Sequence, residues 1–346
     1  MTSAGVPGTG GSALPPALPD DVSRLLREAA ARLARVGIES PRVDAELLLA
    51  HVAGVPRERV VSAAVLGRPV ASLLPAGDAP GADRTAPEVL DELSRLLVAR
   101  AERVPLQHLT GSAPFRHIEL VVGPGVFVPR PETEQVAQVA IDEAREVLAR
   151  RPGAPVVVVD LCTGSGAIAL ALATEVPGAQ VHAVELDRDA HAWAERNVAR
   201  THAASGAVVH LVRGDARTAF ADLDGTCDVV VSNPPYVPPG AVPRDPEVAL
   251  HDPQVALYGL GDDGLEVPRG VTLAAARLLV DGGLYVMEHA EVQAEAARDM
   301  VAQVGGFDEI RTVADLTGRP RMVVARRVRA TSDAPAAQAD PSDMED

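Results

Sequence analysis

Residues 156–166 of the 346-residue chain read Val-Val-Val-Val-Asp-Leu-Cys-Thr-Gly-Ser-Gly, and a stretch rich in alanine and leucine begins at Ala167. The β-branched run predicts a strand that ends near Asp160, and the apolar spacing after Gly166 predicts a helix. Glycines in such a turn let the backbone approach a ligand and present the N–H groups of a helix start to it. This unit therefore predicts both the fold class and one half of a binding site.

Short β-branched runs alternate with helical patterns along the rest of this region. Strands are predicted at 156–160, 180–186, 208–213, 227–232, 283–288, 309–313 and 321–328, and helices between them at 167–175, 188–202, 265–279 and 292–304. Strands that alternate with crossover helices form a mainly parallel, doubly wound α/β sheet, here of seven strands. Ligands on such sheets bind beyond the carboxyl ends of the strands. The functional residues are therefore expected at that edge.

The amino-terminal third has a different pattern, with leucine and alanine at helical spacing and no strand runs. Helices are predicted at 21–36, 41–53 and 87–103 and from Pro56, with Ser40 as an N-cap and Gly54 after a helix end. The proline- and glycine-rich stretch 67–87 is expected to be a loop. We therefore predict a small helical-bundle domain before the sheet.

The predicted division of the chain follows from these changes of pattern. It comprises a disordered tail (1–19), a helical domain (20–105), a hairpin or linker (106–135), a catalytic domain (136–329) and a disordered acidic tail (330–346). Length alone supports this division, because 346 residues correspond to about two domains.

Composition excludes several classes of protein. With 32 arginines and no lysine against 48 acidic residues, the net charge of −16 disfavours a nucleic-acid grip, and eight aromatic residues leave little for stacking bases. Two cysteines, Cys162 and Cys227, exclude a disulfide framework and indicate free thiols in a reducing compartment. No apolar run approaches the roughly 18 residues of a membrane span. We expect a soluble, cytoplasmic protein without a metal centre.

The glycine turn indicates an adenosine-bearing cofactor but does not identify it. Gly164–Ala169 fits the pattern G-x-G-x-x-A, and Glu185 follows at a spacing typical of a ribose-binding acid. Such a carboxylate can accept hydrogen bonds from both ribose hydroxyls. The plainer alternatives are a glycine turn that only closes a strand–helix unit and a solvated acid at a strand end.

The predicted strand 227–232 runs into Asn233-Pro234-Pro235-Tyr236, which uses one of only two asparagines in the chain. Proline lacks an N–H group, so this segment offers carbonyl acceptors held by two fixed φ angles, and Asn233 adds a side-chain acceptor. Such a loop suits a planar NH₂ group, either a carboxamide or an adenine amine, and Tyr236 can cover one face of it. The plainer alternative is a diproline turn that terminates a strand.

A planar NH₂ group is a poor nucleophile, so it needs a strong electrophile and close alignment. A sulfonium methyl group meets this need with little acid–base help. The sequence offers no Ser/His/Asp arrangement, no metal-spaced His/Cys cluster and no histidine placed as a base. A dinucleotide oxidoreductase, in contrast, requires a proton donor or acceptor beside the hydride path.

The ordered set of motifs from Ser23 to Val328 resembles the HemK/PrmC family, the peptide chain release factor N5-glutamine methyltransferases. The matching segments are Ser40–Leu48, Pro105–Gly111, Phe127–Glu134, Asp160–Gly166, Asn233–Tyr236, Asp263–Leu265, and Gly318–Arg319 with Arg321. The resemblance implies a class I S-adenosylmethionine-dependent methyltransferase fold that acts on the glutamine of a Gly-Gly-Gln motif. It also implies that the helical domain docks the release factor, and that the enzyme is a monomer with no direct contact to nucleic acid or membrane.

The resemblance assigns roles to individual residues. The cofactor-binding set is Cys162, Thr163, Gly164, Ser165, Gly166, Glu185, Asp215, Ala216 and Asn233, the substrate-binding set is Asn233, Pro234, Pro235 and Tyr236, and the catalytic set is Asn233, Pro234 and Tyr236. Two positions depart from the family pattern. His108 stands where tyrosine is usual, and Ala216 has no side chain large enough to cover an adenine.

Three other functions remain compatible with these motifs. A nucleic-acid adenine-N6 methyltransferase uses the same Asn-Pro-Pro-Tyr chemistry but requires a basic face. A glutamine methyltransferase for a ribosomal protein is poorly separated by sequence. A cofactor-sensing module without turnover needs the glycine turn but has no need of Asn233.

Overall fold

The computed structural model describes residues 18–74 and 84–328, which form two compact units. One unit contains the described residues up to Ser112 together with Arg244–His251, and the other contains the remaining described residues. The predicted tail 330–346 lies outside the described residues, as do residues 1–17 of the first tail and 75–83 of the predicted loop. The domain boundaries drawn from the sequence stay predictions.

The first unit is helical, as its apolar spacing predicts. Its helices are α1 (Val22–Arg35), α2 (Pro41–Ala53), α3 (Arg57–Val65), α4 (Ala86–Ala101) and α5 (Leu106–Thr110), with a 3₁₀ turn at Val70–Leu73. The Asp21 side chain caps α1 by accepting from the Arg24 N–H at 2.7 Å. Ser40 is the N-cap residue of α2 and Gly54 follows the end of that helix, as predicted, although the Ser40 side chain makes no capping hydrogen bond.

The second unit contains a two-stranded hairpin and a seven-stranded sheet. The strands are β1 (Ser112–Phe115), β2 (Ile118–Val121), β3 (Val156–Leu161), β4 (Ala179–Glu185), β5 (Val209–Arg213), β6 (Cys227–Ser232), β7 (Leu279–Glu288), β8 (Phe307–Ala314) and β9 (Pro320–Arg327). The helices that follow α5 are α6 (Thr133–Arg150), α7 (Ala167–Glu175), α8 (Arg188–Ser205), α9 (Pro246–His251), α10 (Gln254–Leu257), α11 (Glu266–Leu278) and α12 (Ala294–Val304). Of these, α9 belongs to the helical unit.

The large sheet has the strand order β5-β4-β3-β6-β7-β9-β8, and β9 runs in the direction opposite to the other six strands. The chain passes outward from β3 to β5 and then returns to the other side of β3 with β6. The strand order therefore reverses between β3 and β6, where α/β sheets bind their ligands. This architecture confirms the predicted mainly parallel, doubly wound fold with an amino-terminal helical bundle.

One strand begins earlier than its sequence pattern suggests. Instead of starting at Gly283, β7 starts at Leu279, which pairs with Cys227 of β6. The register of the two strands shifts after that pair, so Gly282 and Gly283 lie within an irregular part of β7 and not in a turn before it. Both cysteines are free thiols, as predicted. Within the two described ranges, no helix is long and apolar enough to cross a bilayer.

A buried cluster of charges stabilises the helical unit. Arg100 of α4 donates to Asp44 of α2 at 2.7 Å and to Glu247 of α9 at 2.7 Å, and Arg103 donates to the second Glu247 oxygen at 2.6 Å. Arg100, Asp44 and Glu247 are each 7% exposed, so their charges are compensated mainly by one another. Burial alone would raise the pKa of Glu247, but interactions with Asp245, Arg100 and Arg103 outweigh it and lower the pKa to about 2.

We expect Glu247→Ala to destabilise the helical unit by roughly 3–5 kcal/mol, because it leaves Arg100 buried with one charge partner removed. The free energy of unfolding is measured by urea titration of the full chain. Since the folded pKa of Glu247 lies below its usual 4.5, its stabilisation is present above that pH and is lost as the pH falls toward 2.

The matched control is Glu28→Ala, which removes an exposed carboxylate that pairs with Arg24 on the surface of α1. This change should cost no more than about 1 kcal/mol. Equal costs for the two variants would contradict the assigned role of the cluster.

Candidate functional site

The loop from Cys162 to Gly166 leaves β3 at the point where the strand order reverses. Cys162, Gly164 and Gly166 have φ angles of 64°, 58° and 87°, and this repeated left-handed backbone turns the loop across the carboxyl end of the strand. The Thr163 N–H donates to the Val184 carbonyl at 3.0 Å, and Asn197 donates to the Ser165 carbonyl at 2.9 Å. The predicted cofactor loop is therefore held by both neighbouring elements.

Cys162 carries the only thiol of this loop. Burial raises the pKa of its thiol, as do the nearby carboxylates of Glu185 and Asp160. A thiol that stays protonated is a weak nucleophile. Cys162 is therefore not expected to act as a nucleophile, and its predicted place in the cofactor-binding loop stays a prediction.

Asp160 lies fully buried at the end of β3, behind the loop. One carboxylate oxygen accepts from the Thr163 hydroxyl at 2.6 Å and from the Ala169 N–H at 3.1 Å. The other oxygen, Oδ1, is buried and has no hydrogen-bond partner among the described residues. Burial raises the pKa of Asp160 to about 7, against the two hydrogen bonds that it accepts.

An unsatisfied buried carboxylate oxygen is costly unless a cation or donor joins it. This atom therefore suits a ligand that carries an ammonium or sulfonium group, which S-adenosylmethionine does. Asp160 begins the Asp160–Gly166 motif, but it was not predicted to be a site residue. The available signal was a carboxylate within an otherwise apolar strand.

Glu185 ends β4 beside the same loop. Its Oε2 accepts from the Gly164 N–H at 2.8 Å, and its Oε1 accepts from the Asp187 N–H at 2.8 Å. Burial raises the pKa of this carboxyl, and the two backbone hydrogen bonds counter that effect. Each oxygen keeps a free lone pair for another donor. The solvated-acid alternative does not fit this half-buried, doubly anchored group.

Asp215 and Ala216 follow β5, and the Gly214 N–H bonds the Glu185 carbonyl at 2.9 Å, which places this turn next to Glu185. The Arg217 guanidinium already binds both Asp215 oxygens, with Nη2 at 2.6 Å from Oδ2, and lowers the pKa of that carboxyl. Ala216 is 7% exposed and belongs to the core. A ligand would therefore have to share Asp215 with Arg217, and the adenine-side role of this pair stays a prediction.

The Asn-Pro-Pro-Tyr segment leaves β6 directly beside the glycine loop. The Ser232 hydroxyl donates to the Leu161 carbonyl at 2.6 Å, which joins the ends of β6 and β3. The N–H groups of Tyr236 and Val237 both donate to the Leu257 carbonyl, at 3.1 and 2.8 Å. Because the two prolines have no N–H group, this bend has no free backbone donor from residue 234 to residue 237.

Two acceptors in this bend are unused. No donor within residues 18–74 and 84–328 reaches the Asn233 Oδ1 atom or the Pro234 carbonyl oxygen. An NH₂ group has two hydrogens to donate, and the segment offers two acceptors with nothing to compete for them. The geometry agrees with the predicted amide- or amine-binding loop, although the role of each residue stays a prediction.

Thr133 and Glu288 are connected to this segment by hydrogen bonds, and neither was predicted from the sequence to be a site residue. Asn233 Nδ2 donates to the Thr133 hydroxyl at 3.3 Å, which donates to Glu288 Oε2 at 2.8 Å, and the Tyr236 hydroxyl donates to Glu288 Oε1 at 3.2 Å. Thr133 and Glu288 are 4% and 3% exposed. The run from Phe127 to Glu134 is therefore joined to the Asn-Pro-Pro-Tyr segment through Thr133.

The Asn-Pro-Pro-Tyr segment is packed closely against the backbone of two glycines. A Cβ atom at Gly264 would lie 2.6 Å from the Tyr236 carbonyl oxygen, and one at Gly259 would lie 2.7 Å from the Pro235 carbonyl oxygen. The Gln293 amide donates to the Tyr236 carbonyl at 2.8 Å and to the Asp263 carbonyl at 3.2 Å. The Asp263–Leu265 motif is thus explained by its contact with the Asn-Pro-Pro-Tyr segment.

Comparison with known proteins gives two family matches. Residues 24–111 match the PrmC N-terminal domain, and residues 124–245 match the methyltransferase small domain.

Several curated relatives match nearly the whole chain, and each is a release factor glutamine methyltransferase. The one from Streptomyces coelicolor is 46% identical over 303 residues, which cover 87% of this chain and 96% of the relative. The one from Bifidobacterium longum is 41% identical and covers 88% and 99%, and the one from Mycolicibacterium smegmatis is 42% identical and covers 88% and 96%.

We expect Gly264→Ala to displace the Asn-Pro-Pro-Tyr segment, because the new Cβ would meet backbone atoms that have no room to move. Gly282→Ala is the matched control, since Gly282 has a similar φ of 78° but nothing within 4 Å of its Cβ position. The control should cost about 1–2 kcal/mol for left-handed backbone. Gly264→Ala should cost roughly 1–3 kcal/mol more because of the overlap.

Thermal unfolding measures the two costs, and hydrogen exchange at Tyr236 and Val237 reports on the loop. Faster exchange is expected only in Gly264→Ala. Identical stability and exchange in both variants would mean that this glycine does not support the loop.

Proposed function

Because the chain belongs to the family of release factor glutamine methyltransferases, we propose that it methylates the N5 nitrogen of the glutamine in the Gly-Gly-Gln motif of peptide chain release factors, with S-adenosylmethionine as the methyl donor. The observation that carries this proposal is the pair of unused acceptors, Asn233 Oδ1 and the Pro234 carbonyl, beside the glycine loop. A carboxamide NH₂ group has the two donors that this pair requires.

The residues at the ends of β3, β4 and β5 would hold the cofactor. Cys162–Gly166 would pass beneath it, Glu185 would accept from its ribose hydroxyls, and the Asp215–Ala216 turn would lie at the adenine. The Asp160 Oδ1 atom has vacant hydrogen-bonding capacity, and a nearby cationic group would favour the ionised form of its carboxyl. When bound, S-adenosylmethionine would supply a methyl group carried on a positively charged sulfur. The methyl carbon would bond to the amide nitrogen as its bond to sulfur breaks, and the nitrogen would lose a proton to water.

The Asn-Pro-Pro-Tyr segment would act by orienting the amide. An amide lone pair is delocalised into the carbonyl group. If Asn233 Oδ1 and the Pro234 carbonyl each accept one hydrogen, the nitrogen is held in one plane with its lone pair directed along one axis. Holding two reacting atoms in this way is worth about 7–11 kcal/mol of the barrier. Tyr236 is fixed by Glu288 and would cover one face of the amide.

The partner follows from the same membership. The helical unit matches the PrmC N-terminal domain, and we assign it the docking of the release factor. A cytoplasmic site of action follows from this substrate. Transfer to an adenine amine is disfavoured by the net charge of −16, because phosphate binding requires basic residues.

We expect Asn233→Ala to leave cofactor binding nearly intact and to reduce methyl transfer by about 100-fold to 1,000-fold, the usual effect of removing one hydrogen-bonding partner of the reacting group. The binding of S-adenosylhomocysteine is measured by calorimetry. The mass gain of one methylene on the Gly-Gly-Gln glutamine is measured by mass spectrometry of an intact release factor.

The same assay tests the proposed function directly in the unmodified chain. Duplex DNA and ribosomal proteins serve as competing acceptors, and methylation of either at the rate seen with release factor would contradict the proposal. An equal loss of cofactor binding and turnover in Asn233→Ala would contradict the role assigned to that residue.

A further inference from the structure

We propose that Thr133 and Glu288 are positioning residues that fix which end of the Asn233 carboxamide faces the substrate. The inference rests on the proposed function, since it concerns how the substrate amide is received. Thr133 lies at the amino-terminal end of α6, and Glu288 lies at the end of β7. Within the described residues, they are the only side chains of these two elements that link them to the Asn-Pro-Pro-Tyr segment by hydrogen bonds.

Strand register brings these residues together. Ser232 of β6 lies beside Met287 of β7, so the next residues, Asn233 and Glu288, leave neighbouring strands at the same level. Thr133 is the first residue of α6 and lies within hydrogen-bond distance of both. The three side chains therefore form one continuous chain of hydrogen bonds, which Tyr236 closes on the other Glu288 oxygen.

The donor-to-acceptor direction of these hydrogen bonds depends on the charge of Glu288. An ionised carboxylate only accepts hydrogen bonds, so it takes the single hydroxyl proton of Thr133 and that of Tyr236. The Thr133 oxygen then has only lone pairs to present to Asn233, and only the NH₂ end of that side chain can bind them. Asn233 Oδ1 is consequently directed away from Thr133 and remains available as an acceptor.

Reversing this direction would remove the acceptor. If one Glu288 oxygen carries a proton, it becomes a donor to Thr133 or Tyr236. A Thr133 hydroxyl that accepts a hydrogen bond from protonated Glu288 is free to donate its own hydrogen to Asn233. The side chain would then be stabilised with Oδ1 turned toward Thr133 and its NH₂ group toward the substrate, where it would oppose the amide donors.

Several groups surround Glu288 and influence its charge. Burial raises the pKa of Glu288 to about 7, Thr133, Arg321 of β9 and Tyr236 oppose this shift, and Glu132 before α6 adds to it. His289, the next residue, is fully buried, and its own pKa is lowered by burial. The ionised form that the chain of hydrogen bonds requires is therefore gained as the pH rises through neutrality.

If these hydrogen bonds only stabilise the fold, their removal has different expected effects. Removing a buried hydrogen bond would lower the melting temperature without altering the orientation of Asn233 or its response to pH. Measurements at the Asn233 side chain separate the two roles. The chain contains only two asparagines, Asn197 and Asn233, so ¹⁵N-asparagine labelling gives two side-chain NH₂ signals. The Asn233→Ala variant assigns them.

The experiment compares Glu288→Gln, Thr133→Val and Thr133→Ser in the full chain. In the unmodified protein, the Asn233 NH₂ signals should shift with an apparent pKa near neutrality. The rate of methyl transfer should fall as the pH is lowered and Glu288 becomes protonated. Glu288→Gln and Thr133→Val should abolish the shift and lower kcat on the order of 100-fold, the usual effect of a small misplacement at a reacting centre. Thr133→Ser keeps the hydroxyl and should retain both properties.

Glu143→Gln provides the matched control. Glu143 is another buried carboxylate of the same unit, on α6, but it pairs with Arg150 and Arg326. This change should lower stability and leave both the Asn233 signals and their pH response unchanged. S-adenosylhomocysteine affinity should stay within about 3-fold in every variant, because none of these side chains lies in the cofactor loop.

The NMR readout does not depend on turnover. If the Asn233 signals are insensitive to pH and to both Glu288→Gln and Thr133→Val, the inference is wrong even if release factor is methylated. If they respond as expected while the unmodified chain methylates no release factor, the positioning role stands and the proposed substrate is wrong.

Discussion

The parallel pairing of β3 with β6 is the constraint on which the rest of the site depends. It aligns Leu161 with Ser232, and the Ser232 hydroxyl locks that alignment by donating to the Leu161 carbonyl at 2.6 Å. The glycine loop and the Asn-Pro-Pro-Tyr segment begin one residue beyond this pair. A slip of one residue would turn every side chain of a strand to the opposite face of the sheet. The spacing between the two segments is therefore set by strand register.

Carboxylates are concentrated at this edge of the sheet, against the usual exclusion of charge from protein interiors. Asp160, Glu185 and Glu288 lie at the carboxyl ends of the parallel strands β3, β4 and β7, and burial raises the pKa of each. All three are partly compensated by hydrogen bonds from hydroxyls or backbone N–H groups. Arginine does not bind any of them directly within the described residues, although it compensates the buried acids of the helical unit. Acids without a tight cationic partner are poised to interact with a cationic or donor-rich ligand.

Much of the fold could be predicted from sequence because its signals are local. The alternation of strand and helix patterns, the glycine turn after β3 and the diproline bend after β6 each lie within a few residues. Thr133 and Glu288 could not be placed in this way, because they are 155 residues apart and become neighbours only through the sheet. The unpartnered oxygen of Asp160 could not be predicted for a different reason. A carboxylate at a strand end is common, and only its complete burial and vacant oxygen distinguish it.

The helical unit is discontinuous in sequence, since α9 is contributed by a segment that lies more than one hundred residues after the other helices. A fragment that stopped at Ser112 would lack Glu247 and would enclose Arg100 with one of its two acidic partners missing. The bundle is therefore not a module that gene fusion can move by a single cut. A transfer of the helical unit to another protein would have to carry α9 as a matching insertion downstream.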